Sequence, residues 1–199
     1  MTVSLAVIAL LVVIVSVPAG GTSEPASESE TTGTDEDELR ARRQELLSSI
    51  GIRVFDDRLD AVDFDLESLA EESLSLGDFR GDFVFLNFWA TWCPPCREEM
   101  PAMEVMQEEL ADLPFTILAV SVQEDRGTVE RFIQEFGFTF PILLDPAGRV
   151  TSRYGVRGLP TTFIIDPDGT VLGMLIGILD WKDESVLSVF RRMITLDGA

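Results

Sequence analysis

The sequence predicts an α/β fold in which helices pack on a largely parallel sheet. Residues 83–90 are apolar on both faces except at Asn87, as expected for an interior strand of a parallel sheet. Runs with strand character alternate with segments of helical spacing along the rest of the chain. The stretch 56–199 has an ordinary length for one domain, so we expect a single domain there.

The N-terminal segment indicates export. Residues 3–17 form an apolar run with only two serines, which suits a signal-peptide core and is short for a membrane span. Small residues follow at 17–19, although no Lys or Arg precedes the run. We therefore expect residues 1–19 to be a signal peptide, with an uncleaved membrane anchor as the alternative.

A linker and a short helix are expected before the domain. Residues 20–38 contain seven acids, no bases and otherwise mostly Ser, Thr, Gly, Pro and Ala, which predicts an acidic disordered linker. Leu39 and Leu47 fit a helical spacing that stops at Gly51. Residues 39–55 are therefore predicted to form a short helical lead-in.

The domain's elements follow from the spacing of apolar residues. Residues 62–66 alternate like a half-buried strand that precedes the central one. After the central strand we predict, in order, a helix, a strand, a helix, a strand, a short helix through Tyr154, a hairpin and a helix. The six longer elements are placed at residues 95–113, 115–122, 128–136, 140–144, 163–176 and 185–196.

Only two cysteines, Cys93 and Cys96, occur in the chain, directly after the central strand and separated by two prolines. A strand that turns into a helix at a cysteine places that sulfur at the helix N-terminus, where free N–H groups and the macrodipole favour the thiolate. We therefore predict a redox-active dithiol in which Cys93 attacks and Cys96 resolves. A purely structural disulfide is the alternative, but it would close too short a loop to stabilise the fold strongly.

Composition narrows the possible cofactors. The chain has no histidine, so Cys–His catalysis and histidine-ligated haem or copper centres are excluded. Tetrahedral zinc needs four ligands and the chain offers two thiolates, so zinc could bind only if two chains shared a site. We expect neither a metal nor a cofactor.

The charge of the chain limits its partners. Its 35 acidic and 15 basic residues give a net charge of −20, and residues 56–199 alone hold 27 acids and 11 bases. Such a surface disfavours nucleic acid and anionic membranes as partners. Fourteen of the basic residues are Arg, a bias that suits a saline environment in which salt screens self-repulsion; lineage composition is the alternative explanation.

Two motifs carry a resemblance to a known family. Residues 87–101, Asn-Phe-Trp-Ala-Thr-Trp-Cys-Pro-Pro-Cys-Arg-Glu-Glu-Met-Pro, resemble the active-site segment of TlpA/ResA-like thiol-disulfide oxidoreductases. Residues 158–163, Gly-Leu-Pro-Thr-Thr-Phe, are similar to the cis-proline loop of that family. The resemblance extends from about residue 63 to the C-terminus. It implies a thioredoxin-like three-layer sandwich with an N-terminal hairpin at 74–81 and an inserted helix-strand unit.

The resemblance also implies which residues bind a client protein. Pro160 would face the dithiol, and Leu159 would offer backbone hydrogen bonds to a client peptide. Trp92, beside Cys93, would form a hydrophobic docking surface with Leu159; a purely structural role for Trp92 is the alternative.

A third catalytic residue is expected on the helix that follows the cysteines. Glu99 matches by spacing a glutamate that tunes the thiols in ResA-like reductases, and it shares the helix face of Cys96. An ordinary solvated acid is the alternative. Asn87 stands where thioredoxin itself has an aspartate, and because an amide cannot take up a proton, proton exchange would fall to Glu99 or water.

The expected function is reduction of client disulfides outside the cytoplasm, of the cytochrome c maturation type. The partners would be client proteins with disulfides or thiols and a membrane thiol-electron donor, with an N-terminal membrane tether as a further expectation. Two alternatives remain: a non-catalytic adaptor of the same fold, and a thiol peroxidase. Peroxiredoxins place Pro and Thr seven and three residues before their reactive cysteine, where this chain has Leu86 and Ala90.

Overall fold

The computed structural model describes residues 31–70 and 72–197, which contain one eight-stranded mixed sheet and five α-helices. The strands are β1 (Arg53–Val54), β2 (Asp65–Ser68), β3 (Ser73–Ser75), β4 (Phe83–Trp89), β5 (Phe115–Val122), β6 (Ile142–Asp145), β7 (Thr161–Ile165) and β8 (Val171–Ile176). The helices are α1 (Thr31–Ser49), α2 (Pro94–Glu109), α3 (Arg126–Phe136), α4 (Arg149–Arg153) and α5 (Glu184–Ile194).

Strand β4 lies inside the sheet, whose order is β1-β8-β7-β4-β5-β6-β2-β3. It pairs in parallel with β5 and antiparallel with β7, and β5 pairs in parallel with β6. The remaining neighbours, including β2 beside β6 and β1 beside β8, are antiparallel. The end of β4 that leads into α2 is therefore surrounded by strands on both sides.

The sheet separates two hydrophobic cores. Every residue of β4 is buried, and its side chains alternate between the two faces. Phe83, Phe85 and Trp89 belong to the core that includes residues of α1, α2, α3 and α5. Val84, Leu86 and Phe88 belong to the opposite core, which includes a residue of α4. The predicted three-layer α/β sandwich, with an N-terminal hairpin and an additional helix-strand unit of α3 and β6, is confirmed.

The boundary between the expected linker and the lead-in helix is wrong. Helix α1 begins at Thr31, so residues 31–38 are helical and not disordered. The three acids at positions 36–38 each lie three or four residues before an arginine, as in the Glu38–Arg42 pair at 2.8 Å, which supports a helix. The end of the lead-in also contains strand β1. The expected signal peptide and residues 20–30 of the linker lie outside the described residues.

The hairpin before β4 lies earlier in the chain than the predicted position at residues 74–81, which was wrong. It is formed by β2 and β3, with Leu66 opposite Leu74, and residues 76–79 turn into a 3₁₀ helix. The turn is favoured because Asp78 accepts hydrogen bonds from the backbone N–H and the hydroxyl of Ser75.

None of the helices in residues 31–70 and 72–197 has the length and apolar character needed to cross a membrane.

Candidate active site

The two cysteines lie where β4 ends and α2 begins. Cys93 caps the helix with extended backbone angles, and its Sγ accepts a hydrogen bond from the N–H of Cys96 at 3.3 Å. The two sulfurs form a disulfide. Cys96 is fully buried, whereas Cys93 is 4% exposed. Cys93 is therefore the more accessible of the two sulfurs, and the order of attack and resolution stays a prediction.

Prolines form the first turn of α2. Pro94 and Pro95 occupy its first two positions, where a missing N–H costs no helical hydrogen bond. Because neither proline has an N–H, Cys96 is the first residue of α2 that can donate a backbone hydrogen bond to the Cys93 sulfur. The proline rings also hold φ near its helical value, so the entry into the helix is rigid.

A groove of about 520 Å³ opens beside Cys93. Trp92, which is 65% exposed, lines it together with the loop residues Gly158 and Leu159. Its other lining residues are Pro94, Pro95, Val122, Gln123, Thr151, Val156 and Arg157. A mostly apolar lining with an exposed indole suits a segment of extended peptide.

The loop that precedes β7 has a cis peptide bond between Leu159 and Pro160, as the resemblance implied. Pro160 is buried, and its carbonyl accepts a hydrogen bond from Gly177 at 2.9 Å. Neither the N–H nor the C=O of Leu159 has a hydrogen-bond partner among residues 31–70 and 72–197. Since Leu159 also lines the groove, its backbone is free to pair with a bound peptide.

Glu99 lies one turn after Cys96 on the buried face of α2 and is only 3% exposed. Its Oε1 accepts a hydrogen bond from Asn87 Nδ2 at 2.9 Å, and its Oε2 accepts one from Trp181 Nε1 at 3.1 Å. Burial raises the pKa of Glu99 from its ordinary value of 4.5 to about 7, and the two hydrogen bonds oppose this rise. Glu99 is thus not an ordinary solvated acid, and its raised pKa suits proton exchange with a thiol.

Asn87 connects Glu99 to the sheet. Besides its bond to Glu99, its Nδ2 donates to Thr162 Oγ1 on β7 at 3.0 Å. Asn87 and Thr162 are both fully buried. Thr162, Asn87, Glu99 and Trp181 therefore form a buried polar row that runs from β7 through β4 and α2 to the loop before α5.

Glu124 holds the loop between β4 and α2. Its carboxylate accepts hydrogen bonds from the N–H of Thr91 at 2.8 Å, from the Thr91 hydroxyl and from Ser121 Oγ at 3.0 Å. Glu124 is 8% exposed. Because Thr91 lies two residues before Cys93, these bonds fix the backbone from which the dithiol projects.

Several of these contacts could not be found in the sequence. Trp181 is a single aromatic residue between Asp180 and Lys182 and belongs to no periodic pattern. Glu124 follows a predicted strand, and nothing in the sequence distinguishes it from the many other acids of this chain. Thr162 lies inside the cis-proline motif, but its hydroxyl's partner depends on how β7 pairs with β4.

Within the described residues, the site has no cluster suited to a metal ion. No three His, Cys, Asp or Glu side chains of residues 31–70 and 72–197 are grouped in a way that could hold one. The carboxylate of Glu99 already accepts hydrogen bonds at both of its oxygens.

Known proteins resemble this chain in sequence and structure. Residues 58–174, which include both cysteines, match the AhpC/TSA family. Thiol-disulfide oxidoreductase ResA of Geobacillus thermodenitrificans is 45% identical over 123 residues, or 62% of this chain and 71% of that protein. ResA of Bacillus subtilis is 37% identical over 135 residues, or 68% and 74%. A secreted thiol-disulfide isomerase from Corynebacterium glutamicum superposes with a TM-score of 0.63 and 28% identity, covering 71% of this chain and 90% of that structure.

Proposed function

Because the chain belongs to the AhpC/TSA family and to the ResA-type thiol-disulfide oxidoreductases, it is a protein-disulfide oxidoreductase, and we propose that it reduces client disulfides outside the cytoplasm through Cys93 and Cys96. A thioredoxin-like enzyme of this kind acts on partners that carry thiols or disulfides.

The proposed reaction is a pair of thiol-disulfide exchanges. The Cys93 thiolate attacks one sulfur of the client disulfide, forms a mixed disulfide and releases a client thiolate, which takes up a proton. The Cys96 thiolate then attacks Cys93 Sγ, closes the internal disulfide and releases the second client thiolate. Two electrons have passed to the client, and an external dithiol must then reduce the Cys93–Cys96 disulfide.

The position of Cys93 is the observation that carries this proposal. Its sulfur caps α2, where the dipole and the N–H of Cys96 favour the thiolate once the disulfide is reduced. It also lines the groove beside Trp92, so a client sulfur can reach it. Cys96 lies behind it without exposure and is suited to react only with a sulfur already bound to Cys93.

Glu99 is proposed to exchange protons with the resolving thiol. Cys96 must lose its proton before it can attack the mixed disulfide, and it is buried away from bulk water. Glu99, one helical turn away with a pKa near 7, can accept that proton at neutral pH. Asn87 has no group that titrates, so it cannot replace Glu99 in this role.

The groove is proposed to bind the client. The free N–H and C=O of Leu159 would pair with the client backbone next to the reacting cysteine, as in strand addition. Trp92 would cover the client's apolar side chains, and Pro160 would anchor the loop through the hydrogen bond that its carbonyl accepts from Gly177. Strand addition recognises the client's backbone more than its side chains, so it suits clients in an unfolded or extended state.

The N-terminal segment and a structural relative support a location outside the cytoplasm. Residues 1–19 resemble an export signal or anchor, and the structural relative from Corynebacterium glutamicum is a secreted thiol-disulfide isomerase. We therefore propose action outside the cytoplasm, with a membrane tether if the segment is not cleaved and with a membrane thiol donor as the source of electrons. By resemblance to the TlpA/ResA-like reductases, the clients would be apo-cytochrome c or oxidase-assembly thiols.

Trapping tests this proposal. Replacing Cys96 by Ala stops the reaction after the first exchange, so the full chain should accumulate client proteins bound covalently to Cys93 in cell envelopes. The matched control is the Cys93→Ser, Cys96→Ala double variant, which should trap none. Clients retained equally by the control, without a mixed disulfide, would support the non-catalytic adaptor instead.

A further inference from the structure

Asn87 has a feature that the proposed reaction does not use. Its Oδ1 is buried and has no hydrogen-bond partner among the described residues, although its Nδ2 makes two bonds. Burial of a carbonyl oxygen without a hydrogen-bond donor costs free energy, because no new bond replaces its bonds to water. Such atoms are uncommon in folded proteins, so this one requires an explanation.

The observed orientation of the amide suits ionised Glu99. A carboxylate only accepts hydrogen bonds, and Asn87 Nδ2 and Trp181 Nε1 each supply it with a donor. Protonated Glu99 carries an O–H that needs an acceptor. Both nitrogens that face it can only donate, so this arrangement offers no acceptor to the protonated form.

Inversion of the amide would supply that acceptor. A rotation of about 180° about the terminal bond of Asn87 exchanges Oδ1 and Nδ2 and leaves the shape of the side chain almost unchanged. Oδ1 would then accept from the carboxylic O–H of Glu99 and from the Thr162 hydroxyl, which can donate as well as accept. Each orientation gives the amide two hydrogen bonds and leaves one of its atoms unpaired.

We propose that Asn87 is a positioning residue whose side-chain amide inverts when Glu99 gains or loses its proton. The inversion lets one buried site satisfy both forms of the carboxyl. This inference deepens the proposed function and rests on the proposed proton exchange between Glu99 and the resolving thiol. It explains why an amide, which cannot titrate, lies beside a carboxyl that must.

Other charged groups lie near Glu99 but do not compete for its oxygens. Glu98, Asp180 and Lys182 line a cavity of about 310 Å³ that reaches Glu99, and Cys96 lies one turn away on α2. Among the described residues, the carboxylate of Glu99 is hydrogen-bonded only to Asn87 and Trp181. The three charged groups offer no alternative hydrogen-bond partner.

The chain contains a single asparagine, which makes a direct experiment possible. Nuclear magnetic resonance of the full oxidised protein, labelled with ¹⁵N in the asparagine amide and ¹³C in the glutamates, would follow Asn87 and Glu99 from pH 5 to pH 9. In the oxidised state neither cysteine titrates. Above the midpoint of Glu99, the Asn87 amide protons should show Overhauser contacts to the Thr162 side chain, and below it they should lose them.

The same titration contains the result that would overturn the inference. If the contacts between the Asn87 amide protons and Thr162 persist unchanged while the Glu99 carboxyl titrates, the amide does not invert. A Glu99→Gln variant is the matched control, because its amide contacts should no longer depend on pH.

Two variants give a second, independent test. Trp181→Phe removes a donor that binds the carboxylate more strongly than the carbonyl of the protonated acid, so the midpoint of Glu99 should rise. Asn87→Leu removes a partner of both forms, so the midpoint should move by less than it does in Trp181→Phe. A larger rise in Asn87→Leu than in Trp181→Phe would show that the amide serves only the ionised form, and it would contradict the inversion.

A failure of the inversion can be distinguished from a failure of the proposed function. If Glu99→Gln slows resolution of the mixed disulfide and removes its pH dependence near 7, the proton exchange stands whether or not the amide inverts. If Glu99→Gln leaves the rate and its pH profile unchanged, the proposed role of Glu99 is wrong, even where the amide contacts do change with pH.

Discussion

Trp181 Nε1 donates a hydrogen bond of 3.1 Å to Oε2 of Glu99, joining residues that are 82 positions apart in the chain. Trp181 is fully buried, and its ring packs edge-on against that of Phe85 of β4, with the ring centroids 4.7 Å apart. The loop before α5 therefore fixes the orientation of the carboxyl on the active-site helix. Through this contact the packing of the core controls a group that is proposed to move protons.

The first prediction concerns the pH dependence of stability. The pKa of Glu99 is about 7 in the folded protein and has an ordinary value of 4.5. Between these values the folded state holds a proton that the unfolded chain has lost, so stability falls as pH rises and levels off above 7. A shift of this size corresponds to about 3 kcal/mol.

Glu99→Gln should remove this contribution. Relative to the wild type, the variant should gain stability as pH rises from 4.5 to 8, as measured by urea unfolding of the oxidised proteins. Glu98→Gln, at an exposed position next to it, is the control and should keep the wild-type slope. Parallel stability curves for Glu99→Gln and the wild type would refute the raised pKa.

The second prediction concerns the bonds between Glu124 and Thr91. Glu124→Ala leaves the partly buried N–H of Thr91 without its acceptor, a carboxylate, so it should destabilise the protein by about 1–3 kcal/mol. It should also slow the reaction of Cys93 with a small disulfide, because the loop that carries the cysteine is released. Urea unfolding and stopped-flow kinetics would measure the two effects.

The chain offers a matched control for this experiment. Glu104 accepts hydrogen bonds from the N–H and the hydroxyl of Thr139 in the same pattern, but at an exposed place outside the groove. Glu104→Ala should cost less stability than Glu124→Ala and leave the exchange rate unchanged. An equal loss of rate in both variants would mean that the effect is not specific to the active-site loop.

The third prediction concerns Trp92. Its side chain is 65% exposed, so Trp92→Ala should change the free energy of unfolding by less than about 0.5 kcal/mol. It should raise the KM for a disulfide-containing peptide and leave the rate with a small disulfide unchanged. Leu59, an apolar residue 41% exposed that does not line the groove, is the control. An equal rise in KM in Leu59→Ala and Trp92→Ala would contradict the docking role of Trp92.

The fourth prediction tests how β1 is attached to the sheet. A Cβ at Gly173 would lie 2.7 Å from the Ile52 side chain and 3.0 Å from the Arg53 carbonyl oxygen. Gly173→Ala should therefore destabilise the protein by about 1–3 kcal/mol. Gly77→Ala, where the nearest atom would be 3.5 Å away, should be tolerated. Equal thermal stability of the two variants would show that the β1–β8 contact is loose.

Much of the fold and the centre of the site could be predicted from the sequence. Strand β4 and the start of α2 were recognisable because an apolar run ends at a Cys-Pro-Pro-Cys motif, and both signals are local. The burial of Glu99 followed from its spacing from Cys96 on one helix. The cis bond at Pro160 was expected from the resemblance alone and is present.

The rest depends on contacts between distant parts of the chain. The bond between Trp181 and Glu99 needs the loop before α5 to cross α2, and the Asn87–Thr162 bond needs the pairing of β4 with β7. The early start of α1 was missed because acid-rich composition suggests disorder, whereas ion pairs with the arginines support a helix.

The central claim is that Cys93 is a reachable thiolate while Cys96 is shielded. The most direct test measures alkylation of the reduced, folded protein by limiting iodoacetamide at about pH 6.5, with mass spectrometry of the labelled peptides. The account predicts that Cys93 reacts at least about tenfold faster than an unstructured cysteine peptide, and that Cys96 is labelled only after unfolding. Labelling of Cys93 at the peptide's rate or slower, or labelling of Cys96 first, would contradict it.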